Sequence, residues 1–145
     1  MSDGAAAVVL ARRSVAKRLG LPILGKFVAA AYVGVPPRIM GVGPAYAIPK
    51  VLAQAGLSKD DIDFYEINEA FSVVALANMK LLNLSADKVN VFGGSVAIGH
   101  PLGCSGARIV TTLSTVLREK KAKIGCAGIC NGGGGASAII IENLS

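Results

Sequence analysis

The stretch KIGCAGICNGGGGASAIIIEN, Lys123 to Asn143, decides how this chain is read. Two apolar runs flank four consecutive glycines, Gly132 to Gly135. Each run is short and bounded by polar or glycine residues, so each reads as a buried strand. The short glycine linker between them permits an antiparallel pair. Glycine loses more backbone freedom on folding than any other residue. Four together between strands mark a place where another backbone or a ligand comes very close. Cys130, the last residue of the first run, stands at the entrance to that place.

Upstream, strand-like and helix-like segments alternate. AAAVVLA (5–11) reads as a short apolar strand or buried segment, and RRSVAKRLG as a polar helix closed by Gly20. GKFVAAAYVGV reads as a strand stopped by Pro36 and Pro37. PAYAIPKVLAQAG reads as a helix with Pro44 in its first turn and Gly56 at its end. Pro49 is expected to start that helix late or to kink it. SKDD (58–61) resembles a capping box. IDFYEIN reads as a strand. AFSVVALANMKLL, from Ala70, is apolar nearly all round, so it is expected to be a helix buried on every face. VNVF (89–92) reads as another short strand. ARIVTTLSTVLREK carries Ile109, Leu113, Val116 and Leu117 as a helical stripe. This order predicts an α/β fold with a mixed sheet of about five strands and helices on both faces.

The chain has 145 residues, enough for one domain with a real core. It is 52% hydrophobic and 17% charged, a balance that suits a surface hidden against a partner. No run of uninterrupted apolar residues reaches membrane-spanning length, so no membrane association is expected. The net charge is +6, clustered at Arg12-Arg13, Lys17-Arg18 and Arg118 to Lys123. Solvated helix ends explain these clusters better than a phosphate-bearing ligand does. With few aromatics there is no stacking platform, so nucleic acid is not an expected partner. The cysteines are Cys104, Cys126 and Cys130. An odd count without a secretory signal suggests reduced thiols and an intracellular compartment. Cys126 and Cys130 sit on a strand pattern rather than a knuckle, which disfavours zinc.

The unusual residues fall in three loops at strand ends, where α/β sheets place their sites. They are Asn68-Glu69-Ala70-Phe71, then GGSVAIGHPLGCSGAR (93–108) with the single histidine His100, then CNGGGG. Singly, each has a structural explanation: Asn68 as a helix N-cap, His100 as a turn residue, Cys130 as a small core residue, the glycines as a tight hairpin. GVGPAYA matches G-x-G-x-x-A but follows no strand in a βαβ unit, and GGGG lacks the lysine of a phosphate loop.

In combination the loops are specific. With SDGAAAVVL and GPAYAIPKVLAQAGL, the motifs NEAF, GGSVAIGHPLGCSGAR and CNGGGGASA resemble the C-terminal half of the thiolases over essentially the whole chain. The similarity is greatest to the acetyl-CoA acetyltransferases, and ICNGGGGASA is most like their mitochondrial members. The resemblance implies a thiolase C-terminal domain over residues 1–145. It implies reversible condensation of two acetyl-CoA molecules to acetoacetyl-CoA and CoA. Cys130 would be the base that takes the α-proton, and a thiol suits that role because its acidity is readily tuned. His100, with a water held by Asn68, would stabilise the enolate oxygen. The Gly132 N–H would serve a second oxyanion hole, the glycines letting the thioester lie on the backbone. Ala70 and Phe71 would line the acyl pocket. The coenzyme A thioester is substrate rather than cofactor, and Val96 matches a backbone ligand of a potassium ion. The resemblance also implies a homodimer or homotetramer and a mitochondrial location, with the cytoplasm as the alternative.

One departure matters. The family's nucleophilic cysteine lies in an N-terminal half, and none of the three cysteines here sits in its motif. Most of the domain that grips coenzyme A is missing as well. The chain is therefore expected to be a fragment that is inactive alone. The alternative is a non-catalytic, thiolase-like assembly domain.

Overall fold

A computed structural model describes residues 2–145. The chain runs through α1 (Arg13–Arg18), β1 (Gly25–Gly34), α2 (Pro44–Ala55), β2 (Phe64–Ile67), α3 (Ser72–Leu82), α4 (Ser95–Ile98), α5 (Ser105–Glu119), β3 (Ile124–Cys130) and β4 (Gly135–Asn143). The sheet has four strands in the order β1-β4-β3-β2. The expected hairpin is present, β3 and β4 pairing antiparallel from Ile124↔Glu142 to Cys130↔Ala136. β1 is antiparallel to β4, and β2 is parallel to β3. β4 alone is reversed, so the carboxyl ends of β1, β2 and β3 lie along one edge.

Strand alternation sends side chains to two separate cores. Cys126, Ala136, Ala138 and Ile140 pack with Ile48, Val51 and Leu52 of α2. Ala127 and Ile141, from the other face, pack with Ile109, Leu113 and Leu117 of α5. Helices therefore cover both faces. α2 starts at Pro44 and runs through Pro49 without a break, ending at Gly56 in the left-handed region. Its N-terminus is secured from α3, where buried Asn78 accepts from the Ala45 N–H and donates to the carbonyls of Gly41 and Val74. The capping box at Ser58 and Asp61 is formed.

Three expectations need correction. Residues 5–11 form no strand; Val9 and Leu10 are exposed, and Ala5, Ala6 and Ala7 lie beside Thr111, Thr112 and Thr115 of α5. The segment thus crosses the outside of a helix instead of reaching a sheet edge. VNVF forms only a single bridge, Tyr65↔Val89. The next residue, Asn90, turns the backbone away at φ 50°, and its side chain takes over the ladder. Asn90 Oδ1 accepts from Ile67 N at 2.8 Å, and Nδ2 donates to Ile67 O at 2.9 Å. With these two of the six strand-like segments lost, the sheet has four strands rather than about five. Third, α3 is not buried all round: Val74, Ala75 and Asn78 face inward, while Val73, Leu76 and Leu81 are exposed.

The glycine run is demanded first by the chain itself. Gly134 has φ +96°, and a Cβ there would lie 2.0 Å from the Val35 carbonyl oxygen. Its own carbonyl accepts from Val35 N–H at 2.8 Å, tying the hairpin turn to the end of β1. A side chain at Gly132, by contrast, would meet open space. Gly134→Ala is expected to cost about 2–4 kcal/mol through strain and overlap. Gly132→Ala should stay within about 0.5 kcal/mol of the parent. Urea titrations of the two variants check this, and equal losses would contradict it.

Candidate active site at the carboxyl edge of the sheet

The parallel β2–β3 ladder continues one step past β2, where Asn68 N–H donates to the Gly128 carbonyl at 2.9 Å. Asn68 therefore stands at the carboxyl edge, and β3 ends nearby at Cys130. Asn68 is 1% exposed and Cys130 3%. His100 arrives from the loop between α4 and α5. Both of its ring nitrogens lie 3.5 Å from Asn68 Nδ2. Ser105 Oγ, in the first turn of α5, lies 2.5 Å from His100 Nδ1 and 3.1 Å from the Pro101 carbonyl. The serine thus fixes the ring through Nδ1, while Nε2 faces the Asn68 amide.

The opposite end of the Asn68 amide is fixed from inside. Its Oδ1 accepts from Ser95 Oγ at 2.9 Å and from Arg108 Nη2 at 3.1 Å. Glu69 joins the first two loops: Oε1 accepts from Asn90 Nδ2 at 3.0 Å, and Oε2 from Val96 N–H at 2.8 Å. Asn68 is not the N-cap of α3; that position belongs to Phe71. Ala70 is half-buried, while Phe71 and Val96 are exposed, at 64% and 66%. Two open clefts, of about 360 and 400 Å³, lie beside Ala5, Ala6 and Ala7 and beside Ser2 to Ala6; neither is lined by His100 or Cys130.

Burial pushes the Cys130 thiol up from its ordinary value, partly offset by a backbone hydrogen bond. Cys104, Cys126 and Cys130 are all free and buried. Among the described residues no three His, Cys, Asp or Glu side chains form a metal cluster. A potassium ion needs several oxygens, so the Val96 backbone would hold one only together with other carbonyls. No helix among the described residues is long and apolar enough to cross a membrane.

Sequence reasoning assigned no role to Glu66, Ser95, Ser105 or Arg108. Glu66 is 2% exposed on the α5 side of β2, and its Oε1 has no hydrogen-bond partner among the described residues. Desolvation raises its carboxyl to about 8, opposed by the nearby Arg108 charge. The available signal was a carboxylate inside the apolar run DFYEI, a residue type rarely buried without purpose.

Residues 21–143 match the thiolase C-terminal domain family. The chain belongs to the thiolase family. Over 144 residues it is 60% identical to the cytosolic acetyl-CoA acetyltransferase of Gibberella zeae, covering 99% of this chain and 36% of that protein. It is 55% identical to the mitochondrial acetyl-CoA acetyltransferase of Xenopus tropicalis, covering 99% of this chain and 34% of that protein. The crystal structure of the Bacillus anthracis acetyl-CoA acetyltransferase superposes with a TM-score of 0.88 at 45% identity, over 91% of this chain and 34% of that one. Human mitochondrial 3-ketoacyl-CoA thiolase gives 0.90 at 41%, over 93% of this chain and 34% of that one. The thiolase chain described here thus spans about a third of the length of the relatives it matches.

Because the Glu66 carboxyl is raised by folding, the unfolded chain ionises first as pH rises. The fold therefore loses stability from about pH 4.5 up to about 8, and no further above that. Glu66→Gln removes this penalty. The melting temperature of the variant relative to the parent should rise steadily between those limits. A pH-independent difference would show that Glu66 titrates normally.

Proposed function

We propose that this chain is the C-terminal catalytic half of an acetyl-CoA acetyltransferase, condensing two acetyl-CoA molecules into acetoacetyl-CoA and CoA. The observation that carries the reading is the convergence of Asn68, His100 and Cys130 on one sheet edge, with Asn68 and His100 in contact. These are the residues that the thiolase motifs single out.

The chemistry follows in two halves. A cysteine thiolate in the N-terminal half attacks acetyl-CoA; a C–S bond to the enzyme forms and CoA leaves as a thiolate. The leaving sulfur needs a proton. Burial holds Cys130 in its thiol form, the form that can give one. Having given it, Cys130 is a thiolate and can take the α-proton of the second acetyl-CoA. The electron pair then moves to the thioester oxygen. A proton donor on His100 and a water on Asn68 stabilise that enolate. Donors preorganised at developing charge are worth about 3–4 kcal/mol each. The enolate carbon attacks the acetyl-enzyme, whose oxyanion is met by the Gly132 N–H, and the first cysteine leaves.

The complete enzyme would need the N-terminal half as its partner. The exposed Val73, Leu76 and Leu81 of α3 suit a chain that is covered in a larger assembly, a homodimer or homotetramer. Both compartments find support in named relatives, cytosolic in Gibberella zeae and mitochondrial in Xenopus tropicalis. The mitochondrial reading rests on ICNGGGGASA. These residues alone lack an acyl-accepting nucleophile, so covalent catalysis cannot begin.

Purified alone, the chain should cleave acetoacetyl-CoA with CoA no faster than background, read by loss of enolate absorbance. In a complete enzyme carrying this half, Cys130→Ser should suppress deuterium exchange into acetyl-CoA by roughly 100-fold or more. His100→Ala should slow condensation comparably while acetyl uptake by the nucleophile persists. Asn68→Ala, acting through a water, should cost less. Unchanged exchange in well-folded Cys130→Ser would remove Cys130 from the reaction.

A further inference from the structure

The Asn68 amide has two ends, and only one orientation leaves its NH2 toward His100. Both hydrogen bonds that select this orientation come from the interior. Ser95 Oγ donates to Asn68 Oδ1 at 2.9 Å, and Arg108 Nη2 donates to the same oxygen at 3.1 Å. Arg108 Nη2 also donates to Ser95 Oγ at 2.6 Å, so the serine hydroxyl is turned with its proton toward Asn68. A flipped amide would set NH2 against two donors and leave buried groups unpaired. Arg108 pays for this place in stability. Among the described residues it joins no ion pair, and its Nε is buried without a partner, as is Glu66 Oε1 on the α5-facing side of β2. A partly buried arginine with one buried, unmet donor is poor for stability, so what it holds in front is the reason for its presence.

We infer that Arg108 is a positioning residue: with Ser95 as relay, it fixes which end of Asn68 faces His100 and the reacting thioester. Its functional part rests on the acetyltransferase reading above; its structural part does not. Lysine at this position is a single point of charge without the planar fork that reaches Asn68 Oδ1 and Ser95 Oγ together.

The structural part is read in the 145-residue chain by nitrogen NMR of the Asn68 side-chain NH2 and the His100 ring. Arg108→Lys, Arg108→Met and Ser95→Ala should each move the Asn68 NH2 and His100 signals while the remaining amide spectrum stays native. Ser95→Ala breaks the same relay without touching the arginine, so the inference remains open to test if an Arg108 variant fails to fold. Unmoved Asn68 and His100 signals in any well-folded variant would overturn it. The functional part is read in the complete enzyme. Arg108→Lys should lower kcat for condensation by about tenfold, with acetyl uptake and melting temperature unchanged. A parent enzyme without condensation activity would refute the acetyltransferase reading instead. An active parent with an unaffected Arg108→Lys variant would refute the role of Arg108.

Discussion

The 2.9 Å hydrogen bond from Asn68 N–H to the Gly128 carbonyl is the contact on which the site depends. It prolongs the parallel β2–β3 ladder by one residue and so sets where the NEAF loop leaves the sheet. β3 runs on to Cys130 at the same edge. Asn90 braces β2 from its other side through both polar atoms of its amide. Once Asn68 is fixed, Ser95, Arg108 and His100 can all be organised around one amide. A one-residue slip of β2 would turn Asn68 to the opposite face and disperse the group.

The sheet and both covering helices were legible because their patterns are strong. The two runs around CNGGGG alternate into separate cores, and the stripe from Ile109 to Leu117 fits one helical face. VNVF was misread because its strand-forming valines were judged without Asn90, whose side chain replaces backbone pairing. AAAVVLA was misread because an apolar run becomes a strand only where an edge can receive it, and here it lies over α5 instead. The apolar circumference of α3 was real, but its outward side has no cover in these residues.

The site was legible as motifs rather than as geometry. Asn68, His100 and Cys130 announce themselves as unusual residues at strand ends. The glycines carried a mixed message: Gly134 is required by the Val35 carbonyl, while Gly132 faces open space and is available to a ligand. Glu66 and Arg108 were invisible in role. Their meaning depends on β2 turning Glu66 toward α5 and on the first turns of α5 bringing Arg108 to Asn68, which no local pattern states. The protonated form of Cys130 likewise follows from burial, a consequence of the whole fold.

The central claim is that this edge meets the thioester oxygen. A crystal structure of the complete enzyme with acetyl-CoA bound tests it most directly. The account predicts the thioester oxygen within about 3 Å of His100 Nε2, with the acetyl methyl group against Cys130 Sγ. Finding the acyl end elsewhere, for instance in the cleft beside Ala5, Ala6 and Ala7, would contradict it.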